Sequence, residues 1–243
     1  MDREKRIQLL EDAFAQIHLK LEDHQYEQFI QYYEMLIEKN KVMNLTSITE
    51  FEEVIHKHFV DSVVNFEKMV DNSKKITLID VGTGAGFPGI PIKIAYPSVK
   101  IVLLDSLNKR IKFLQEVIAE LRLEDIVAIH SRAEDAGRNV QYREKFDYCV
   151  SRAVANLATL SEYCLPFVKV GGYFISYKAG EIEDELEQSK NAIQLLGAKV
   201  EERKKFMLPG TDIHRTMIYI KKIKSTAQRY PRKSGMPSKE PLK

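Results

Sequence analysis

The sequence predicts an α/β protein: a mainly parallel seven-stranded sheet with an N-terminal helical cap and a basic C-terminal tail. Three observations predict it. From residue 76 onward, short and nearly continuous apolar runs alternate with helical stretches, as strands buried on both faces do. Three amphipathic helical segments precede that alternation. A glycine-rich turn follows the first apolar run and opens a helix, which is where open α/β sheets hold a ligand.

The cap comes first. Segment 2–17 spaces Ile7, Leu10, Phe14 and Ile17 by three and four. Segment 23–39 repeats the pattern with Tyr26, Phe29, Ile30, Tyr33, Leu36 and Ile37, and segment 50–70 with Phe51, Val54, Ile55, Phe59, Val63 and Phe66. Between the last two, residues 40–49 are polar and read as a loop, with Thr49 as N-cap before Glu52 at N3. Residues 76–81 form the first strand, 88–96 a helix bounded by prolines, 100–105 the second strand and 107–121 an amphipathic helix. Strands at 126–130 and 146–151 follow, then a helix at 157–168. Gly171-Gly172 reads as a turn into a fifth strand at 173–177, and a helix at 182–196 stops at Gly197. The last two strands, 199–206 and 216–223, have no helix between them, so they should pair as an antiparallel hairpin at the sheet's end. The chain thus divides into a cap (1–72), a sheet domain (73–224) and a tail (225–243). The tail contains Pro231, Pro237 and Pro241 and no apolar periodicity, so it should be extended or disordered when unbound.

Composition narrows the function. At 44% hydrophobic and 30% charged, the chain reads as an ordinary soluble protein. No apolar run approaches the roughly 20 residues of a membrane span. The mixed-charge start is unlike a secretory signal, which points to a cytoplasmic protein. Cys149 and Cys164 sit in apolar settings and read as reduced core residues. No Cys/His cluster has metal-ligand spacing, so no metal is expected. The net charge of +2 is unevenly spread: residues 221–243 hold eight Lys/Arg and one Glu, net +7, leaving −5 for residues 1–220. Such a tail suits a phosphate-rich partner, with Arg229, Arg232 and Lys233 as the contacting cations, although composition reads equally well as a solubilising end.

The strongest chemical signal is Asp80-Val81-Gly82-Thr83-Gly84-Ala85-Gly86-Phe87-Pro88-Gly89. Gly82, Gly84 and Gly86 let a backbone turn sharply and approach a ligand without a Cβ in the way. A dinucleotide fingerprint would need glycine where this chain has Phe87, and a P-loop would need Gly-Lys-Ser/Thr. A loop with no phosphate-seeking residue, entered by Asp80, suits a nucleoside that carries a cationic centre, and S-adenosylmethionine is one. Asp105 ends the second strand, where an acid hydrogen-bonds ribose hydroxyls in such folds. Ala133 and Glu134, just after the third strand, could meet an adenine edge, although taken alone this stretch reads more often as a solvated turn and gains weight only from its place in the series.

The substrate side should lie after the fourth strand, at Ser151-Arg152-Ala153-Val154-Ala155. It has no Asn/Asp-Pro-Pro-aromatic stretch of the kind used on exocyclic amines, and no cysteine nucleophile for pyrimidine C5. A target that is already nucleophilic fits, and guanine N7 needs no base to remove a proton. Catalysis would then be alignment in a dry pocket, with no catalytic side chain. Arg152 is expected at the cofactor carboxylate, a base or a phosphate, ahead of a strand-end pair with an acid, and Lys178 reads equally as a contact or a strand-end ion pair. His56 and His58 do not share a helix face, so His58 reads as a packing or substrate-contact residue rather than half of a metal pair.

Taken together, these motifs resemble the bacterial small-subunit ribosomal RNA methyltransferase G family, once called glucose-inhibited division protein B. The resemblance runs through Asn44-Leu45-Thr46-Ser47-Ile48, His58-Phe59-Val60-Asp61-Ser62, the glycine loop, Asp105-Ser106-Leu107-Asn108-Lys109-Arg110, Arg132-Ala133-Glu134, Ser151 to Ala155 and the basic end from Tyr230 to Pro237. It implies a Rossmann-like class I S-adenosylmethionine-dependent methyltransferase acting on N7 of one guanine in 16S ribosomal RNA. It implies cofactor contacts at Gly82, Phe87, Ala133, Glu134 and Arg152, to which the loop argument adds Gly84, Gly86 and Asp105. The small-subunit RNA, or the small subunit itself, would meet Asn44, His58, Arg152, Lys178, Arg229, Arg232 and Lys233, and a monomer is expected. One departure is Lys39, where such proteins often carry tryptophan. The alternatives are a small-molecule or protein methyltransferase, a non-catalytic RNA-binding factor, and a nicotinamide oxidoreductase. Removing residues 225–243 should weaken RNA binding and leave cofactor affinity intact.

Overall fold

The computed structural model describes residues 1–69, 75–152 and 155–242. The expected boundary between cap and sheet domain, and Ala153-Val154 of the substrate-side stretch, lie outside the described residues. Helix α1 (Arg3–Ala15) starts at Asp2, whose side chain accepts from the Lys5 amide. Helix α2 (Asp23–Met43) starts with a capping box between Glu22 and Gln25 and ends at Asn44 in the left-handed conformation. It therefore runs past Asn40, which was expected to open the loop. Inside the last turn, the Asn40 side-chain oxygen accepts from the amides of Leu45 and Thr46 and holds that loop in place.

The third amphipathic segment is broken. Helix α3 (Phe51–Val54) leads into a wide π-helical turn, Ile55–Val60, and then α4 (Asp61–Val63). The cap position is Glu50 rather than Thr49, whose carbonyl instead accepts from the Tyr33 hydroxyl.

The sheet domain alternates as expected: β1 (Thr77–Val81), α5 (Gly89–Ala95), β2 (Lys100–Asp105), α6 (Asn108–Glu120), β3 (Ile126–His130), α7 (Ala133–Ala136), β4 (Phe146–Arg152), α8 (Leu157–Cys164), β5 (Val168–Ala179), α9 (Glu183–Leu195), β6 (Ala198–Met207) and β7 (His214–Lys222). The strand order is β3-β2-β1-β4-β5-β7-β6. The pairs linking β1 to β5 are parallel, and β7 is antiparallel to both its neighbours. The final hairpin forms as predicted, with β7 inside and β6 at the edge. Gly171 and Gly172 lie within β5 instead of turning into it. A Cβ at Gly172 would stand 2.4 Å from the Asp147 carbonyl oxygen, so glycine there permits close strand approach.

Side chains alternate across the sheet with period two. Leu78, Leu103, Val150, Ile175 and Met217 face the cap, in one core with Phe14, Phe29, Phe59 and Leu114. Ile79, Leu104, Cys149, Phe174 and Ile218 face the other way, against Leu157, Leu160 and Ile193. Each such burial contributes about 1.5–3 kcal/mol. Cap and sheet thus share one core on this face.

The tail is neither extended nor disordered. Thr226 is buried, and its hydroxyl donates to the Leu196 carbonyl. Arg143 donates to the carbonyls of Thr226 and Tyr230, and Arg138 to that of Pro231. A short helix, α10 (Met236–Lys239), closes it. What orders it is hydrogen bonding to main-chain carbonyls, which leaves no apolar periodicity in the sequence.

Candidate active site

The glycine loop bridges β1 and α5 at the carboxyl edge of the sheet. The amides of Gly82 and Thr83 donate to the Leu104 carbonyl, which turns the chain over the end of β2. Gly82, Gly84 and Gly86 all have positive φ. At Gly84 a Cβ would meet nothing nearer than 4.0 Å, so this glycine presents bare backbone to open space. At Gly86 a Cβ would meet Ile90 Cγ1 at 2.6 Å and the Tyr32 hydroxyl at 2.8 Å. Gly86 therefore faces the core, where it lets the cap approach the loop, and it does not line the cleft.

Asp80 is fully buried and faces neither cleft nor solvent. Its Oδ2 accepts from the Thr83 hydroxyl and the Gly89 amide, so it latches the loop from beneath. Its Oδ1 has no hydrogen-bond partner among the described residues. Burial pushes this carboxyl up to about 7. Asp80, which enters the loop, therefore braces it from beneath and does not line the cleft.

Gly82, Gly84, Phe87, Asp105, His58 and Arg152 come together around one cleft of about 400 Å³, joined by Leu45 and Arg110. Asp105 accepts from the Gly84 and Leu107 amides and from Arg110. Phe87 stacks on His58 at 4.4 Å, and the Arg152 guanidinium stands 5.0 Å from the Phe87 ring centre. Ala133 and Glu134 open α7 at the end of the adjoining β3, where the Ser131 amide donates to the Asp105 carbonyl. Glu134 is buried, and its Oε1 accepts from the Gly235 amide of the tail at 2.7 Å.

A second hollow of about 340 Å³ lies behind the same two residues. It is lined by Ile48, Lys57, His58, Asp61, Arg152, Tyr177, Lys178, Ala179 and Arg215. His58 and Arg152 are the shared wall. Arg152 donates to Asp61 Oδ2 at 3.0 Å, and Arg215 to Asp61 Oδ1 at 2.9 Å. His58 takes a contact from Arg152 at Nδ1 and meets the Thr46 hydroxyl at Nε2. Burial, reinforced by the Arg152 charge, lowers the His58 imidazole to about 3, so it is neutral at pH 7. Neutral His58 with Arg152 donating to Nδ1 must carry its proton on Nε2, facing Thr46.

The remaining expected contacts are placed differently. Asn44 is exposed at the end of α2. Lys178 lines the second hollow but is held by Glu185 and the Ala155 carbonyl, which is the ion-pair reading of that residue. Arg229 and Lys233 are exposed on the tail, whereas Arg232 is tied to the buried Glu162. His56 packs under the turn at Pro209 and Gly210. Sequence reasoning gave no role to Asp61, Arg215 or Asn40. Asp61 carried a signal: an acid set among Phe59, Val60 and Val63 on an apolar helix is rarely buried unless paired. Among the described residues, no cluster of side chains could hold a metal ion and no helix is long and apolar enough to cross a membrane.

Residues 25–215 match the family described as rRNA small subunit methyltransferase G. A ribosomal RNA small subunit methyltransferase G from Lachnoclostridium phytofermentans is 56% identical over 92% of this chain and 92% of its own length. Its counterpart from Alkaliphilus metalliredigens is 51% identical over 97% and 98%. Among solved structures, a mutant of the 16S rRNA (adenine(1408)-N(1))-methyltransferase from Catenulisporales acidiphilia superposes with a TM-score of 0.51 at 15% identity. It covers 66% of this chain and 89% of the other, a likeness of fold.

Proposed function

This chain belongs to the rRNA small subunit methyltransferase G family, and from that premise we infer that it methylates N7 of a guanine in 16S ribosomal RNA. The methyl donor is S-adenosylmethionine, which when bound supplies a methyl group on a sulfonium. The cleft fits such a group. The open side of Gly84 is a cradle that any Cβ would fill, and Asp105 Oδ1, which accepts only from Leu107, keeps one acceptor site for a ribose hydroxyl beyond the three bonds the carboxylate accepts. Gly82, Gly84, Phe87, Asp105, Ala133, Glu134 and Arg152 would hold it.

The observation that carries the choice of target is the shared wall of the two hollows. Among the described residues there, none is a free base. His58 is neutral with both ring nitrogens engaged, its conjugate acid is far too strong for proton removal near pH 7, and Asp61 is held by two arginines. An exocyclic amine or a hydroxyl must shed a proton as it is methylated, whereas guanine N7 offers a lone pair. The chain's residues therefore act by orienting the base and excluding water. Lys57, Arg152 and Arg215 make the second hollow suitable for a nucleotide of a polyanion, and a cytoplasmic monomer working on RNA is the form we propose. Incubation with methyl-labelled donor and undermethylated small subunits, followed by separation of RNA from protein, tests the substrate class. Label in the RNA supports the reading, and label in ribosomal protein overturns it.

A further inference from the structure

The tail, expected to be a loose arm for RNA, reaches the cofactor side of the molecule. Arg232 makes a forked pair with Glu162: Nε lies 3.0 Å from Oε1 and Nη2 2.7 Å from Oε2, and the Arg232 amide adds a bond of 2.7 Å to Oε1. Glu162 is wholly buried on α8, so this pair is a fixed anchor. Three residues on, Gly235 takes φ +85°, the left-handed conformation that glycine adopts freely. That turn points its amide at Glu134 Oε1, at 2.7 Å. Just beyond it, the Thr159 hydroxyl donates to the Pro237 carbonyl and holds the far side of the same turn on α8. Upstream, Pro231 packs against Gly137, where a Cβ would stand 3.2 Å from the proline ring. Glu134 thus stands between the end of β3 and the tail, with one oxygen held by Gly235 and the other without a protein partner among the described residues.

We propose that the C-terminal tail is part of the S-adenosylmethionine site: the Arg232–Glu162 anchor seats the Gly235 amide on Glu134, and this fixes the acid in the position that receives the adenosine end of the donor. Arg232 and Gly235 are positioning residues that act through Glu134. The inference rests on the cofactor reading above, and it reverses the expectation that the tail can be lost without cost to cofactor affinity. A carboxylate fixed before the ligand arrives gives up no rotamer freedom on binding, so tail integrity appears as affinity for the donor.

The test is calorimetric titration of the full-length protein with S-adenosylmethionine in the absence of RNA. Arg232→Ala strands a buried carboxylate and endangers folding, so the paired replacement Arg232→Met with Glu162→Met is used, which leaves no orphan charge. Thermal melting confirms that it folds. The expected result is donor affinity at least tenfold weaker than wild type. Glu134→Ala should weaken affinity similarly, and adding it to the paired variant should cause little further loss, because both act on one contact. At saturating donor, kcat on a fixed excess of small subunits should move far less than KM for the donor. A folded paired variant with wild-type affinity overturns the proposal, as do losses that simply multiply when combined. Failure of the wild-type protein to bind the donor would instead strike the cofactor reading itself.

Discussion

At Gly84 the backbone stands at φ +64° with open space where a side chain would go. Gly84→Val therefore forces a β-branched residue into a conformation it disfavours and aims it into the cleft. Donor affinity should fall by at least 100-fold in titration calorimetry of a folded variant, and near-wild-type affinity would remove this glycine from the site. Gly86 shows the limit of reading a motif by spacing. It repeats the pattern two residues later, yet its constraint comes from Tyr32 and Ile90 in the core. Asp80 shows it again, since the sequence places an acid at the loop but does not say which way it faces. Its carboxyl titrates at about 7 against an ordinary 3.8, so the folded state prefers the protonated form. The stability this gives is fully present below about pH 4 and is lost as pH rises through 7. In urea unfolding, Asp80→Asn should gain on wild type by up to roughly 4 kcal/mol between pH 4 and pH 8. Stability curves that stay parallel across that range would contradict it.

Among the elements, the strands and crossover helices were legible because burial on both faces writes itself as apolar runs. The break in the third cap segment was not, since its apolar spacing is also that of a continuous helix. The tertiary partner decides: the π-helical turn lets the Lys57 carbonyl, His58 and Asp61 all reach Arg152. Asp61 joins the cap to β4 and β7 through Arg152 and Arg215, with side-chain exposures of 4%, 14% and 19%. Asp61→Ala leaves two partly buried guanidinium groups without a counter-ion and should cost about 3 kcal/mol in urea unfolding. Hydrogen exchange should locate the loss at Ile55–Val63 and the ends of β4 and β7. A loss under 1 kcal/mol would mean that the shared core alone holds the cap.

For the whole molecule, the uneven charge read from the sequence is partly spent in folding. Lys221 pairs with Glu201, Lys222 with Glu144 and Arg232 with Glu162. Lys224, Arg229, Lys233 and Lys239 remain exposed to meet phosphate. Composition showed the excess but could not show its partners, which lie about 20 to 80 residues away in the chain. Replacing Arg229 and Lys233 together by alanine should flatten the salt dependence of RNA binding by up to about two units of log–log slope. An unchanged slope would place the RNA on another face. Everything above converges on methyl transfer to N7 of a single guanine by alignment alone. The most direct test is to methylate small subunits from a strain lacking this enzyme with labelled S-adenosylmethionine and to map the modified nucleotide. One labelled guanine in 16S ribosomal RNA is expected, with the methyl on N7. Label on an exocyclic amine, a ribose hydroxyl or a pyrimidine carbon would contradict it, since each needs a base or nucleophile that His58 and Asp61 do not supply.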